Sequence, residues 1–192
     1  DSDGSKLMLL AQMNLNEIPE NQMLPRTGIL QFFILCDRNY GMAIQESGYP
    51  NNTYQVVYHE KIDESITEAD VLSIGIKTTG DLEKENKSVN QQDSNCFPVR
   101  GEYAVSFKME KAYMNDCDVR CDELLHKIAD ELGVELDSRL EFYQMFDEYD
   151  KKYVDIHEST YGHRMFGYPH FRQWDPRGVE AADYYDTLLF QL

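Results

Sequence analysis

The chain has 192 residues and carries 18 lysines and arginines against 35 aspartates and glutamates, so its formal net charge at pH 7 is −17. The resulting negative field repels phosphate backbones and anionic lipids, which disfavours general nucleic-acid and membrane-surface binding but allows a basic protein partner. The hydrophobic fraction of 42% is typical of a globular chain, and we predict a single domain over residues 1–192.

The start of the chain does not resemble a secretory signal. The first ten residues, DSDGSKLMLL, lack the basic start of a secretory signal, and no stretch approaches the ~20 apolar residues of a membrane helix. We therefore expect a cytoplasmic protein whose four cysteines stay reduced. The chain starts without methionine and stops within an apolar run, so we expect native segments beyond both ends.

Four segments in the first part of the chain are typical of β-strands. KLMLLAQMNL (6–15) is a short apolar run without helical spacing, and GILQFFIL (28–35) is apolar on both faces, which predicts a central strand. YQVVYHEKI (54–62) is a further predicted strand. EYAVSFKME (102–110) alternates in a way that predicts one buried face. The polar segment 78–95 between these last two predicts a long exposed loop.

Two helices are predicted next. Residues 118–133 carry an apolar stripe that includes Cys121, begin with Asp118 as the N-cap and end at Gly133. Residues 137–150 open with Ser138 and Glu141, the spacing of a capping box. Together with the strands they predict an α+β fold. Its sheet-rich, mainly antiparallel core has two covering helices, near 118–133 and 137–150.

The final segment, TLLFQL (187–192), returns to strand character and repeats an earlier pattern. Residues 9–13 and 188–192 share the sequence L-L-x-Q followed by an apolar residue. Chance can produce a match over so few positions. The alternative is a duplicated β core, in which the amides of Gln12 and Gln191 each need hydrogen-bond partners on an otherwise apolar strand.

Motifs for catalysis or metal binding are missing from the sequence. The C-x3-C-x4-H pattern that begins at Cys117 offers one cysteine pair where structural zinc usually needs two. His157, His163 and His170 could converge on a metal, but their spacing does not require it. Neither a G-x-S-x-G nucleophile motif nor a phosphate-binding glycine loop is present. We therefore assign no catalytic residue, no metal and no cofactor.

Residues 163–177, HRMFGYPHFRQWDPR, form a basic and aromatic island in this acidic chain. Arginines mixed with aromatic rings can stack on the rings of a ligand. The same residues can be architecture, because arginines in an acidic protein pair with its own carboxylates and lie over its own rings. The glycines and prolines of the island predict a rigid loop, so we favour architecture over a ligand site.

The island and several earlier segments resemble the YwqG-like bacterial proteins of unknown function. The island resembles that family's pattern H-x-x-x-G-Y-P-x-F-x-Q-x-D-P-R, and LLAQMNLNEIP, GILQFFI, VVYHEKI and the final L-L-x-Q resemble other segments of the family. The likeness spans most of the chain and implies a sheet-rich α+β protein with a duplicated core. It implies no catalytic residues. Phe166 stands where the family pattern has a small residue, often glycine. The matching positions are His163, Gly167, Tyr168, Pro169, Phe171, Gln173, Asp175, Pro176, Arg177, Gln12, Gln31, Tyr58, His59 and Glu60.

We interpret the sequence as that of a binding or interaction protein. A sharper hypothesis is an immunity or antitoxin-like partner that neutralises a basic protein by electrostatic complementarity. The alternative is a hydrolase or small-ligand enzyme with a His/Asp/Arg cleft, which would add His170 to the candidate residues. The candidate cleft or signature residues are His163, Tyr168, Gln173, Asp175, Arg177, His59 and Glu60.

Overall fold

A computed structural model describes residues 6–36, 40, 53–75, 97–99, 101–115, 118–133, 135, 162–171 and 175–192. The chain divides into two compact units, Asp1–Met109 and Glu110–Leu192, and each is described by itself. Antiparallel strands and helices together confirm the predicted α+β class. The single domain over 1–192 stays a prediction.

Unit 1 contains a three-stranded antiparallel sheet in the order β1-β2-β3. β1 is Met8–Asn14, β2 is Ile29–Ile34 and β3 is Tyr54–His59, so the strands predicted over 6–15, 28–35 and 54–62 are confirmed. The two apolar faces of β2 correctly predicted its central position. The pairing of β1 with β2 shifts register between Leu9 and Ala11, which marks a bulge in β1.

One face of this sheet supplies the core of unit 1. Met13 of β1 pairs with Leu30 of β2, and both are buried, as is Phe32 two residues further along β2. The side chains that β3 adds to the same face are exposed, because β3 lies at the edge of the described sheet. These exposed side chains are Tyr54, Val56 and Tyr58.

A short helix that was not predicted follows β3. α1 spans Glu68–Ser73 and begins with a capping box at Thr67. The hydroxyl of Thr67 accepts the backbone N–H of Asp70, and the Asp70 carboxylate accepts the backbone N–H of Thr67 at 2.8 Å. This reciprocal pair satisfies two N–H groups that a helix start otherwise leaves without partners.

Unit 2 contains the long helix that was predicted near 118–133. α2 spans Arg120–Leu132 and ends at Gly133, whose left-handed backbone accounts for the predicted stop. Its apolar stripe is only partly covered, because Cys121 is buried whereas Leu124, Ile128 and Leu132 are exposed. The cap position is Val119 rather than the predicted Asp118, although an oxygen of Asp118 does accept the N–H of Arg120.

A second helix of unit 2, α3, spans Gly178–Tyr184 and was not predicted. The predicted helix over 137–150 and the predicted loop over 78–95 lie outside the described residues. Among the residues that the structure describes, no helix has the length and apolarity needed to cross a membrane.

Two predicted strands differ from the structure. Residues 102–110 contain no strand, and Tyr103 and Met109 are 75% and 72% exposed instead of lining a buried face. Among the described residues, 187–192 form an isolated antiparallel bridge between Gln191 and Arg164 instead of a continuous strand. Alternating hydrophobicity predicts a strand only when a neighbouring strand is available to pair with it, and local sequence does not encode that neighbour.

Candidate functional site

Two Asp-x-Arg triplets lie at the start of the helices of unit 2. The triplet Asp118–Arg120 leads into α2, and the triplet Asp175–Arg177 leads into α3. In each triplet, one carboxylate oxygen accepts the backbone N–H of the arginine at 3.0 Å and its Nε–H at 2.9 Å. The same local turn is therefore built twice, from the sequences D-V-R and D-P-R.

The two triplets meet in one charge cluster, which consists of Asp118, Arg120, Asp175 and Arg177. Nη2 of Arg177 lies 2.5 Å from Asp175 Oδ2 and 3.1 Å from Asp118 Oδ1. Nη2 of Arg120 lies 2.6 Å from the second oxygen of Asp118. The Asp118 residue is only 1% exposed. The cluster therefore balances two buried carboxylates with two largely buried guanidinium groups.

The charge cluster also holds backbone segments together. Nη1 of Arg177 donates to the carbonyl of Tyr185 at 2.9 Å, and Nη1 of Arg120 donates to the carbonyl of Asp186 at 3.3 Å. Asp175 Oδ2 accepts the backbone N–H of Val119 at 3.0 Å. These bonds connect the start of α2 and the start of α3 to the chain that follows α3.

Two aromatic rings of the island lie beside the arginines of the charge cluster. The guanidinium carbon of Arg120 is 6.0 Å from the centre of the Tyr168 ring, and that of Arg177 is 5.6 Å from the centre of the Phe171 ring. Both distances fall within the range of a cation–π interaction. Each arginine therefore has a carboxylate partner, a carbonyl partner and a ring within the same unit.

The charge cluster shifts the acidities of its own members. Burial alone would raise the pKa of Asp118, but hydrogen bonds from Arg120 and the charges of Arg120 and Arg177 lower it below its ordinary value. Burial would also raise the pKa of Asp175. Hydrogen bonds from Arg177 and from the backbone of Val119 outweigh this effect, so the pKa of Asp175 is lowered as well. Both carboxylates are ionised at neutral pH, where neither can act as a general acid.

We expect unit 2 to lose stability in acid. A carboxyl group whose pKa is lowered by folding contributes stability above its unfolded pKa of about 3.9, and this stability is lost as pH falls through the folded pKa. The contribution of Asp118 and Asp175 should therefore stay constant from pH 7 to about pH 5 and fall below about pH 4. Urea unfolding followed by circular dichroism at each pH measures it.

The matched variant for the acid experiment is Asp175→Asn, which cannot take up a proton in this range. Its free energy of unfolding should fall less steeply than that of the wild type between pH 5 and pH 3. Equal slopes for the two proteins would contradict the assignment of the acid response to the charge cluster.

The turn at Phe166 and Gly167 is left-handed. The φ angles of these residues are 61° and 74°, and the backbone N–H of Phe166 donates to the carbonyl of Leu188 at 2.8 Å. A Cβ added to Gly167 would lie 2.5 Å from the Cβ of Ala112. The left-handed φ angle at position 166 is one that favours glycine, and here Phe166 occupies it.

Replacing Gly167 with alanine is expected to lower the free energy of unfolding by about 1 to 3 kcal/mol, because the new methyl group overlaps Ala112. The double variant with Ala112→Gly removes that overlap and should recover the part of the loss that the overlap causes, leaving the cost of the left-handed backbone. Chemical unfolding of both single variants and of the double variant measures the coupling. Additive losses would contradict the contact.

Both glutamines of the repeated L-L-x-Q pattern have hydrogen-bond partners, as their positions predict. Oε1 of Gln191 accepts the backbone N–H of His170 at 2.8 Å, and its backbone pairs with Arg164. Oε1 of Gln12 accepts Nε2 of Gln31 at 2.6 Å. The first amide bonds to a loop backbone and the second to a side chain on another strand. The duplicated core stays a prediction.

The sequence-predicted site residues fall into both units. His59 ends β3 in unit 1, and exposed Glu60 follows it. In unit 2, Tyr168 lies against the charge cluster, whereas His163 is exposed. Asp175 and Arg177 are members of the cluster, His170 is tied through its backbone to Gln191, and Gln173 lies outside the described residues.

Sequence reasoning missed Asp118 and Arg120 as partners of the island. The one available signal is the Asp-x-Arg triplet, which occurs in the island and at the start of α2, and it is weak because residues 137–139 carry it as well. In the part of the chain that the structure describes, no group of three or more His, Cys, Asp or Glu side chains is placed to hold a metal ion. Cys36 and Cys121 are not joined in a disulfide.

The fold and the charge cluster define an α+β protein in which two arginines pair with carboxylates of the same unit. The chain belongs to the family described as a domain of unknown function, DUF1963, whose model matches residues 1–192. No curated protein matches the chain.

Proposed function

We propose that the protein is a binding protein that docks a basic protein partner through residues 60–75 of unit 1, which we term the acidic surface. Every residue of this segment is exposed. It carries five carboxylates and one lysine, a local net charge of −4. An acidic surface of this kind accelerates encounter with a basic protein and discriminates against acidic ones.

The acidic surface also exposes large apolar side chains, and this observation carries the proposal. Ile66 and Ile74 are 60% and 63% exposed, and Ile62, Val71 and Leu72 are exposed as well. Scattered apolar residues are normal on a protein surface, whereas several within one short acidic segment are typical of a binding surface. Apolar anchors supply the affinity of such a surface, and its charges supply orientation.

The sharper form of the proposal is an immunity or antitoxin-like role, in which the partner is a basic toxin. The net charge of −17 supports it, because neutralising a basic protein requires an acidic one. The alternative is a hydrolase or small-ligand enzyme that uses His163, His170, Asp175 and Arg177 with His59 and Glu60. Asp175 and Arg177 hydrogen-bond to each other. Their pairing favours the binding role over the enzyme, because groups that already pair with each other are not available to a substrate.

The proposal is tested by removing charge from the acidic surface without disturbing its turns. Asp63 and Asp70 accept hydrogen bonds from Ser65 and Thr67, so they are kept. The test variant replaces Glu60, Glu64 and Glu68 with glutamine. Protein captured from a lysate of the native host is then compared between wild type and variant, at about 50 and about 300 mM salt.

The matched control carries the same change in net charge on unit 2, at the exposed α2 residues Glu123, Asp130 and Glu131, replaced by their amides. The proposal requires a basic captured protein that salt releases, that the test variant binds at least about fivefold more weakly, and that the control variant binds normally. Equal binding by both variants, or a captured protein that salt does not release, would contradict it.

A further inference from the structure

A row of three polar side chains crosses the sheet of unit 1, one from each strand. Nε2 of Gln31 donates to Oε1 of Gln12 at 2.6 Å, and Nε2 of His59 lies 3.0 Å from Oε1 of Gln31. We term Gln12, Gln31 and His59 the polar row. Because side chains alternate along a strand, the row lies on the face opposite buried Leu30 and Phe32.

The direction of the hydrogen bonds determines which end of the polar row can donate a further hydrogen bond and which end can accept one. An amide oxygen can only accept, so Nε2 of His59 must carry the proton that it shares with Gln31. In the neutral imidazole, Nδ1 is then an acceptor. At the other end, Nε2 of Gln12 has two N–H donors. Within the described residues, neither Nε2 of Gln12 nor Nδ1 of His59 has a hydrogen-bond partner.

The face that carries the polar row has no charged side chain among its strand residues. Asn14, Gln55, Ile29, Phe33 and Val57 share this face with the row, as strand alternation and the strand register place them. The net charge of the whole chain is −17, but the strand side chains on this face are uncharged and cannot form an ion pair with a charged ligand. It suits a ligand that is itself uncharged.

We propose that the polar row is a binding site for an uncharged saccharide. The two ends of the row are separated by two strand spacings, about 10 Å, and offer opposite hydrogen-bonding capacity. Each hydroxyl group of a sugar can both donate and accept a hydrogen bond. Two hydroxyls separated by about the length of a disaccharide can therefore bond to both ends of the row, one accepting from Gln12 and the other donating to His59. Neutral amide side chains can hydrogen-bond to hydroxyl groups without the free-energy cost of removing a charge from water.

The first test is the protonation of His59, which nitrogen-15 NMR of the imidazole reads directly. The neutral ring should carry its proton on Nε2 in wild type. In the variant Gln31→Leu, which removes the accepting oxygen, the two neutral forms should approach the mixture found for a free imidazole. A neutral His59 with its proton on Nδ1 in wild type would overturn the proposal.

The second test is binding, with cellobiose and maltose as probes at up to about 50 mM. At least one of them should shift the side-chain amide signals of Gln12 and Gln31 and the ring signals of His59. Gln31→Leu should weaken that binding at least about fivefold, whereas Gln22→Leu, a matched change at an exposed glutamine between β1 and β2, should leave it within about twofold.

Two results would overturn the saccharide assignment. The first is that neither probe shifts the polar-row signals at about 50 mM. The second is that Gln31→Leu and Gln22→Leu have the same effect on the affinity. Circular dichroism of both variants checks that they are folded. The acidic-surface variant changes no residue of the polar row, so the docking proposal and the saccharide proposal can each fail without the other.

Discussion

Replacing Asp118 with alanine is expected to lower the free energy of unfolding by about 3 to 5 kcal/mol, the range measured when one partner of a buried ion pair is removed. The side chain of Asp118 is 0% exposed and faces two guanidinium groups, whose side chains are 24% and 13% exposed. Without the carboxylate, Arg120 loses its main partner and Arg177 loses one of two. Urea unfolding followed by circular dichroism measures the change.

The matched control for Asp118 is Asp130→Asn, an exposed position on the same helix, which should change stability by no more than about 0.5 kcal/mol. Asp118→Asn should fall between the two, because the amide keeps an acceptor but loses the charge. A loss below about 1 kcal/mol in Asp118→Ala would show that the charge cluster contributes little to the stability of unit 2.

Replacing Gly28 with alanine is the second change with a large expected effect, a loss of about 2 kcal/mol or more. Gly28 has a φ angle of 105°, and a Cβ there would lie 2.4 Å from the carbonyl oxygen of His59 and 2.7 Å from the Tyr58 ring. A left-handed backbone costs about 1 to 3 kcal/mol for a residue with a side chain, and overpacking costs a similar amount. The backbone carbonyl of β3 cannot move aside without disturbing the sheet.

Gly133 supplies the control for Gly28, because its φ angle is 66° and a Cβ there would meet nothing within 4 Å. Gly133→Ala should therefore cost only the left-handed backbone, about 1 to 2 kcal/mol. The difference between the two alanine variants isolates the close approach of Gly28 to β3. Equal losses in chemical unfolding would rule out that contact as a source of stability.

The elements that the sequence predicted well are those specified by their own residues. β2 is apolar on both faces, and that pattern alone predicted a central strand. α2 carries its stop signal in Gly133. α1 was missed because its six residues are too few to show a helical period of apolar residues, although its T-x-x-D capping box is present in the sequence. The strand over 102–110 was wrong because pairing depends on a neighbour that lies elsewhere in the chain.

The candidate site was predictable only in part, for the same reason. The composition of the island indicated that its arginines pair with carboxylates of the protein, but it did not indicate which residues outside the island those partners are. Asp118 lies more than fifty residues away in sequence from Arg177, its partner at 3.1 Å. Local spacing carries no information on a contact of that range. The polar row was likewise invisible, because strand register, not spacing, brings Gln12, Gln31 and His59 together.

The charge cluster divides the electrostatics of the protein into two independent systems. Its two carboxylates and two guanidinium groups cancel, so the whole net charge of −17 is carried by the rest of the chain. Dissolved ions screen exposed charges over about 8 Å at physiological salt and act far less on buried pairs. Exposed charges elsewhere, such as those of the acidic surface, can therefore be changed for solubility or for a new partner while the charge cluster continues to hold unit 2 together.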